Sequence, residues 1–164
     1  MDLTSFFPKE FVIKEVVMDH ENINIEIISS KNICKCPICN TESSKIHSQY
    51  KRFLYDLNMI DKTVKLFLTS RKFFCCNPLC HRSIFTERFN SLITPYARRT
   101  TRLNEKLSKL TFSMRCEAAS KLSKYITVSL SADTFLRIIN KEKIIINSEY
   151  KHIGVDDFAF RKGC

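Results

Sequence analysis

The sequence predicts an α+β protein: a β-rich, metal-tied front, a helical middle and a strand-like end. Three observations predict it. Cysteines fall in two close pairs, Cys36-x2-Cys39 and Cys75-x4-Cys80. Apolar residues alternate with period two before residue 75, and recur at steps of three and four after residue 94. A tetrahedral thiolate site needs four soft ligands at about 2.3 Å, and each short loop can present two sulfurs to one ion. The implied cofactor is structural Zn2+, with Cys36, Cys39, Cys75 and Cys80 as its ligands. Cys34, Cys76, His47 and His81 stand close enough in the chain to displace one of them. Ordinary buried thiols are the plain alternative.

The front half reads as strands. Phe11 to Val17 and Ile23 to Ile28 flank an Asp19-His20-Glu21-Asn22 turn, and Ile23, Ile25 and Ile27 alternate with polar residues. The first cysteine knuckle follows. Lys45 to Leu57 and Thr63 to Phe74 then predict a hairpin, with Val64, Leu66 and Leu68 on one face and Lys65, Phe67 and Thr69 on the other. The hairpin occupies the interval between the cysteine pairs and returns the second knuckle to the first, the assembly order of a zinc ribbon. Glycine occurs only at 154 and 163, so turns rely on Asn, Asp, Ser and Pro, as in Asn58-Met59-Ile60-Asp61.

The middle reads as helices. Thr94-Pro95 has the form of an N-cap followed by a first-turn proline. Tyr96, Thr100, Leu103, Leu107, Leu110 and Met114 trace one apolar stripe, from which Arg98, Arg99, Arg102, Lys106 and Lys109 fall away. Glu117 to Ile126 predicts a second helix with Ala118, Leu122 and Tyr125 inward. After a break at 127–130, Ser131 caps a third, with Phe135, Leu136, Ile138 and Ile139 as its apolar surface. Two short helices across a tight break make a helix-turn-helix pattern. Its second helix would enter a major groove exposing Ala132, Asp133, Arg137 and Lys141. A plain three-helix bundle has the same hydrophobic pattern; the charge favours the former. Near the end, His152 to Val155 runs into Asp156-Asp157, an apolar strand delivering acids.

The formal net charge of +10 is uneven, because residues 1–33 carry −3 and the stretch from Thr94 to Lys141 carries +7. Such a field recruits phosphate backbones and makes association salt-sensitive. No run approaches the ~18 apolar residues of a spanning helix, and the N-terminus lacks a signal-peptide pattern. The expectation is an intracellular protein whose cysteines are ligands and free thiols.

Read in order, these pieces resemble the ISL-three family of bacterial insertion-sequence transposases. The resemblance rests on Cys36-Pro37-Ile38-Cys39, His47 to Arg52 with Asp56-Leu57, Arg71 to Cys75 with Asn77 to Cys80, and Ile84 to Phe89. It continues in Tyr96 to Thr100, Ser131 to Arg137 and Gly154 to Gly163. It implies a zinc-binding domain over 1–90, a helix-turn-helix DNA-binding domain over 94–142, and over 150–164 the start of a ribonuclease-H-like catalytic domain. The implied partner is double-stranded DNA at the element's terminal inverted repeats, with full-length transposase or a second copy as protein partners. The implied location is the bacterial cytoplasm, at the nucleoid. Phosphates would be anchored by Arg98, Arg99, Arg102, Lys106 and Lys109, and Arg137 would contact a guanine.

By the same resemblance Asp156 is the first acid of a catalytic Asp-Asp-Glu triad and Asp157 its neighbour. Cys116, Ala119 and Thr127 stand where the family usually places glycine. Two-metal phosphoryl transfer on Mg2+ or Mn2+ needs several carboxylates, and none follows Asp157. The expectation is therefore a chain that binds DNA and does not cut it. A stand-alone zinc-stabilised regulator, or an inhibitor of transposition, is the alternative.

Overall fold

The computed structural model describes residues 4–141. Asp156, Asp157 and the strand expected to precede them lie outside the described residues. A short 3-10 turn, Thr4–Phe6, leads into β1 (Phe11–Met18) and β2 (Asn22–Ser29), which pair antiparallel. A two-residue-strand hairpin, β3 (Cys34–Lys35) and β4 (Glu42–Ser43), carries the first knuckle. The long strands β5 (Ile46–Tyr55) and β6 (Thr63–Phe74) form the expected antiparallel pair, with Leu54 opposite Leu66 and Tyr50 opposite Ser70.

The pairing of β2 with β6 is parallel, from Asn22 beside Thr63 to Ile28 beside Thr69. A parallel pair needs a long crossover, here residues 30–62, which hold the first knuckle and β5. It brings Ile23, Ile25 and Ile27 against Val64, Leu66 and Leu68, all essentially buried. β7 (Ile84–Thr86) pairs with residues 72–74, where β6 runs past the end of β2. The core face is covered by Phe7, Phe89, Leu92 and Ile93 rather than by a helix. On the other face Phe53 and Lys51 are exposed.

The link between β5 and β6 closes on two residues, Ile60 and Asp61, with φ of 52° and 58°. Reciprocal Met59–Lys62 backbone hydrogen bonds of 3.0 and 2.9 Å flank them. Left-handed conformations at both central positions suit Asn-Gly, and a β-branched residue is among the worst occupants. Ile60→Asn with Asp61→Gly is expected to stabilise the protein by about 1–2 kcal/mol. The check is the urea midpoint; an unchanged or lower midpoint refutes the turn assignment.

Three helices follow: α1 (Thr101–Ser113), α2 (Cys116–Ser123) and α3 (Ala132–Ile139), packed around Leu103, Leu107, Ala119 and Phe135. The first helix begins later than Thr94-Pro95 predicts. Residues 94–99 form a strap along the edge strand β5, where Tyr55 N donates to Arg98 O and Thr100 N to Tyr55 O, and Thr100 is the true N-cap, its hydroxyl accepting from the Leu103 amide. Tyr96 therefore leaves the helical stripe, with φ 63° and 96% exposure. α2 is also rotated from expectation. Ala119 and Ser123 face inward, while Ala118, Leu122 and Tyr125 are exposed. The reason is polar: Ser123 Oγ accepts from Leu130 N at 2.8 Å and Ser120 Oγ donates to Leu130 O at 2.7 Å, which turns that face towards the link to α3. Turns wind on to Thr127, leaving only 128–131 between them and α3, and Ser131 caps α3 as expected.

A polar joint holds the helices to the sheet. Fully buried Asp56, at the end of β5, accepts from Thr100 Oγ1 at 2.7 Å and from Arg102 Nε at 2.8 and 3.1 Å, with a further contact from the Arg102 fork. Its carbonyl accepts from Thr127 Oγ1 at 3.0 Å, and the next-but-one amide, Asn58 N, donates to Ile126 O at 2.7 Å. Arg102 also donates to Phe6 O at 2.7 Å and lies over the Phe7 ring. Asp56, through its carboxylate, its carbonyl and its partner Arg102, thus ties together the N-terminal turn, the sheet, α1 and the turns after α2.

Candidate metal centre and nucleic-acid interface

The first knuckle turns on Asn40, whose φ of 56° is left-handed and whose amide donates to Cys36 O at 2.9 Å; asparagine tolerates this conformation better than most residues. Cys36 N donates to Thr41 O at 2.9 Å, closing the loop. The second knuckle spans the β6–β7 connection. Cys75 N donates to Ser83 O at 2.8 Å, and Asn77 shapes the turn by accepting from Leu79 N on its side chain and Cys80 N on its carbonyl. An Asn-Pro pair starting this loop is a turn signal legible in the sequence.

Cys36, Cys39, Cys75 and Cys80 converge, their Sγ atoms all within 4.8 Å of one another. Cys36 to Cys80 is 4.0 Å and Cys39 to Cys75 is 3.5 Å. Four sulfurs at about 2.3 Å from a tetrahedral centre lie about 3.8 Å apart, so these spacings straddle the value a metal needs. They are far longer than the about 2.05 Å of a disulfide. Four cysteines so placed can hold a metal ion. Cys36 is buried with Phe73 and Phe85, whose rings stack at 5.9 Å, so one side of the cluster is apolar.

The thiols are electrostatically uneven. Hydrogen bonding with the Thr41 hydroxyl and amide pulls Cys39 down to about 6. Cys75 is pushed up to about 12: the Asn77 amide opposes the rise, but burial and the crowded neighbouring sulfurs outweigh it. Sulfurs that impede one another's ionisation are relieved by a shared cation, which requires them as thiolates.

The other candidates stand outside the cluster. Cys34 is pushed up to about 11 by burial and by nearby Glu87. Cys76 is exposed, 3.5 Å from Ser43 Oγ. His47 pairs with Ser48 Oγ at 2.8 Å and packs edge-on against Phe74. His81 is exposed and not among the grouped ligands. Arg71, whose position in the sequence suggests a charge favouring the thiolates, is instead buried in a forked ion pair with Glu87 at 2.7 and 3.0 Å.

The basic residues of the helical half divide by role. Arg102 is committed to Asp56, with about a third of its side chain exposed. Arg99 is half-buried and donates to Asn104 Oδ1 at 2.9 Å, and burial lowers its pKa. Arg98, Lys106 and Lys109 are exposed. On α3, Phe135 is buried while Asp133, Leu136, Arg137 and Asn140 recur at helical steps along one exposed stripe, with exposed Lys141 just beyond; Ala132 is half-buried. Leu136 lies outward, against the sequence pattern that groups it with Phe135, and Asn140 joins the same stripe. The helical period counted from Phe135 finds both.

Among the described residues no helix is long and apolar enough to cross a membrane. No family model, curated protein or solved structure matches this chain.

Proposed function

We propose that the chain is a zinc-stabilised DNA-binding protein, the DNA-recognising part of a transposase of the ISL-three type acting at terminal inverted repeats. The observation that carries the DNA reading is the α3 stripe. A short capped helix is anchored by one buried Phe135 and presents Arg137 and Asn140 one turn apart, with Lys141 beside them. Arginine pairs bidentately with guanine and asparagine with adenine, so this stripe has the chemistry of base-edge reading. α2 and α3, joined through residues 128–131, serve as the helix-turn-helix pair, and Arg98, Lys106 and Lys109 supply phosphate contacts. Arg102 holds the fold instead of a phosphate.

Zinc is the proposed ion because four thiolates at tetrahedral spacing suit it, and the two knuckles on β3–β4 and β6–β7 then form a ribbon. Its chemistry there is structural. By the resemblance alone, Asp156 and Asp157 begin a catalytic centre that requires Mg2+ or Mn2+ and further carboxylates.

Selection of bound sequences from a random duplex pool tests the reading. Arg137→Ala is expected to relax preference at one base pair by about 1–3 kcal/mol. Lys106→Ala should weaken all duplexes alike and flatten the salt dependence. Uniform losses for both variants put α3 outside the groove. Enrichment of a promoter instead of inverted repeats favours the regulator.

A further inference from the structure

A cleft of about 130 Å3 opens between the knuckles, Tyr50 and Arg52 of β5, Ser70 of β6, and residues 86–96, which lead from β7 into the strap. Its charge and its rings are unusual for a gap in a small fold. Arg52, Arg82 and Arg88 line it together with Tyr50 and Tyr96. Arg52 donates to Ala97 O and so pins the strap, while Arg82 and Arg88 make no ion pair among the described residues. Glu87 also borders the cleft, but Arg71 neutralises it through the forked pair. Lys72 Nζ lies 5.7 Å from the ring of Tyr50, adding a further cation beside one of the lining rings.

Tyr96 is the second unusual feature. Its backbone is left-handed at φ 63°, and its side chain is 96% exposed at the mouth of the cleft. A bulky residue gains nothing within the chain from that conformation or that exposure. A ring held in water beside cations is a platform for another π-face. Cationic grooves with projecting aromatic rings are how proteins hold single-stranded nucleic acid, the phosphate on the cations and the base on the ring.

We infer that this cleft takes one nucleotide of a single-stranded nucleic acid, its phosphate on Arg82 and Arg88 and its base against Tyr96. A duplex cannot supply this ligand, because its bases are stacked and paired and the cleft is recessed. The site stands apart from the α3 stripe and goes beyond the duplex reading given to the helices.

Fluorescence anisotropy of labelled oligothymidylate and oligouridylate, with a labelled duplex as the third probe, tests it on the full chain. Tyr96→Gly removes the ring and suits the left-handed backbone, so its Tm should hold or rise. It should bind the single strand roughly tenfold more weakly, the scale of one lost base–ring stack, with duplex affinity unchanged. Arg82→Ala with Arg88→Ala should weaken single-strand binding and flatten its salt dependence. The tighter of the two oligonucleotides names the sugar that the site accepts. Wild-type single-strand affinity in both variants overturns the inference. So does loss of single-strand binding in Arg137→Ala with Lys141→Ala, which would seat the strand on α3. If no duplex binds while the single strand still depends on Tyr96, the cleft stands and the duplex reading falls.

Discussion

Treatment with a strong chelator should release one equivalent of zinc and melt the two knuckles with β3, β4 and β7, while the β1–β2–β6 core survives. The magnitudes decide between local and global collapse. Apparent zinc binding to small fingers is worth about 10–16 kcal/mol at neutral pH, all of it folding energy when no other core exists. Here the knuckle region owns little apolar core, chiefly Phe73, Phe85 and Cys36. The sheet keeps a separate one built on Ile23, Ile25, Ile27, Val64, Leu66 and Leu68. Hydrogen exchange should therefore lose protection at Cys36, Cys75 and Phe85, and keep it at Ile25 and Leu66. Cys75→Ser should reproduce the chelated pattern; Cys76→Ser, outside the cluster, should not. Protein that carries no stoichiometric metal on elemental analysis, or exchanges identically with and without chelator, sinks the metal reading.

Asp56→Ala is expected to loosen the helices from the sheet at a cost of about 3 kcal/mol. That is the lower end of what breaking a buried ion pair costs, because Arg102 remains about one third exposed and can rehydrate. The carboxylate also receives the Thr100 hydroxyl, which caps α1, so the loss reaches the start of that helix. Arg102→Ala should cost a similar amount, because it strands the buried carboxylate, and it should lower duplex affinity only as far as it lowers stability. Urea unfolding is the measurement, the midpoint falling at an unchanged slope. A loss below about 1 kcal/mol would fit an ordinary surface pair and remove Asp56 from its place as the joint.

The cluster holds the loops around the sheet's far end, and the Asp56 joint fixes the basic helices at its other. A proposed DNA-binding surface on α3 is only as well oriented as that joint, since α3 packs on α1 and α2 through Phe135.

Several features were legible in the residues alone. Period-two alternation placed Ile23, Ile25 and Ile27 inward, and the cysteine spacing identified the four thiols that converge. Ser131 announced the start of α3 by its own side chain. These are local rules: a strand's two faces, a knuckle's reach and a cap's hydrogen bond each depend on residues a few positions apart. What the sequence did not disclose depends on distant partners. The parallel docking of β2 on β6 follows from a crossover that spans 30–62. Thr94-Pro95 looked like a helix start but became a strap, because Asp56, forty-four residues before Thr100, recruits that threonine as the cap. Arg102 reads as a phosphate anchor and Arg71 as a charge beside the cysteines until the fold sets Asp56 and Glu87 beside them. Sequence by itself determined the periodicities, the four cysteines that converge and the charge; tertiary structure decided which charges remain available, because a cation's role is set by the nearest buried carboxylate, and only folding brings it there.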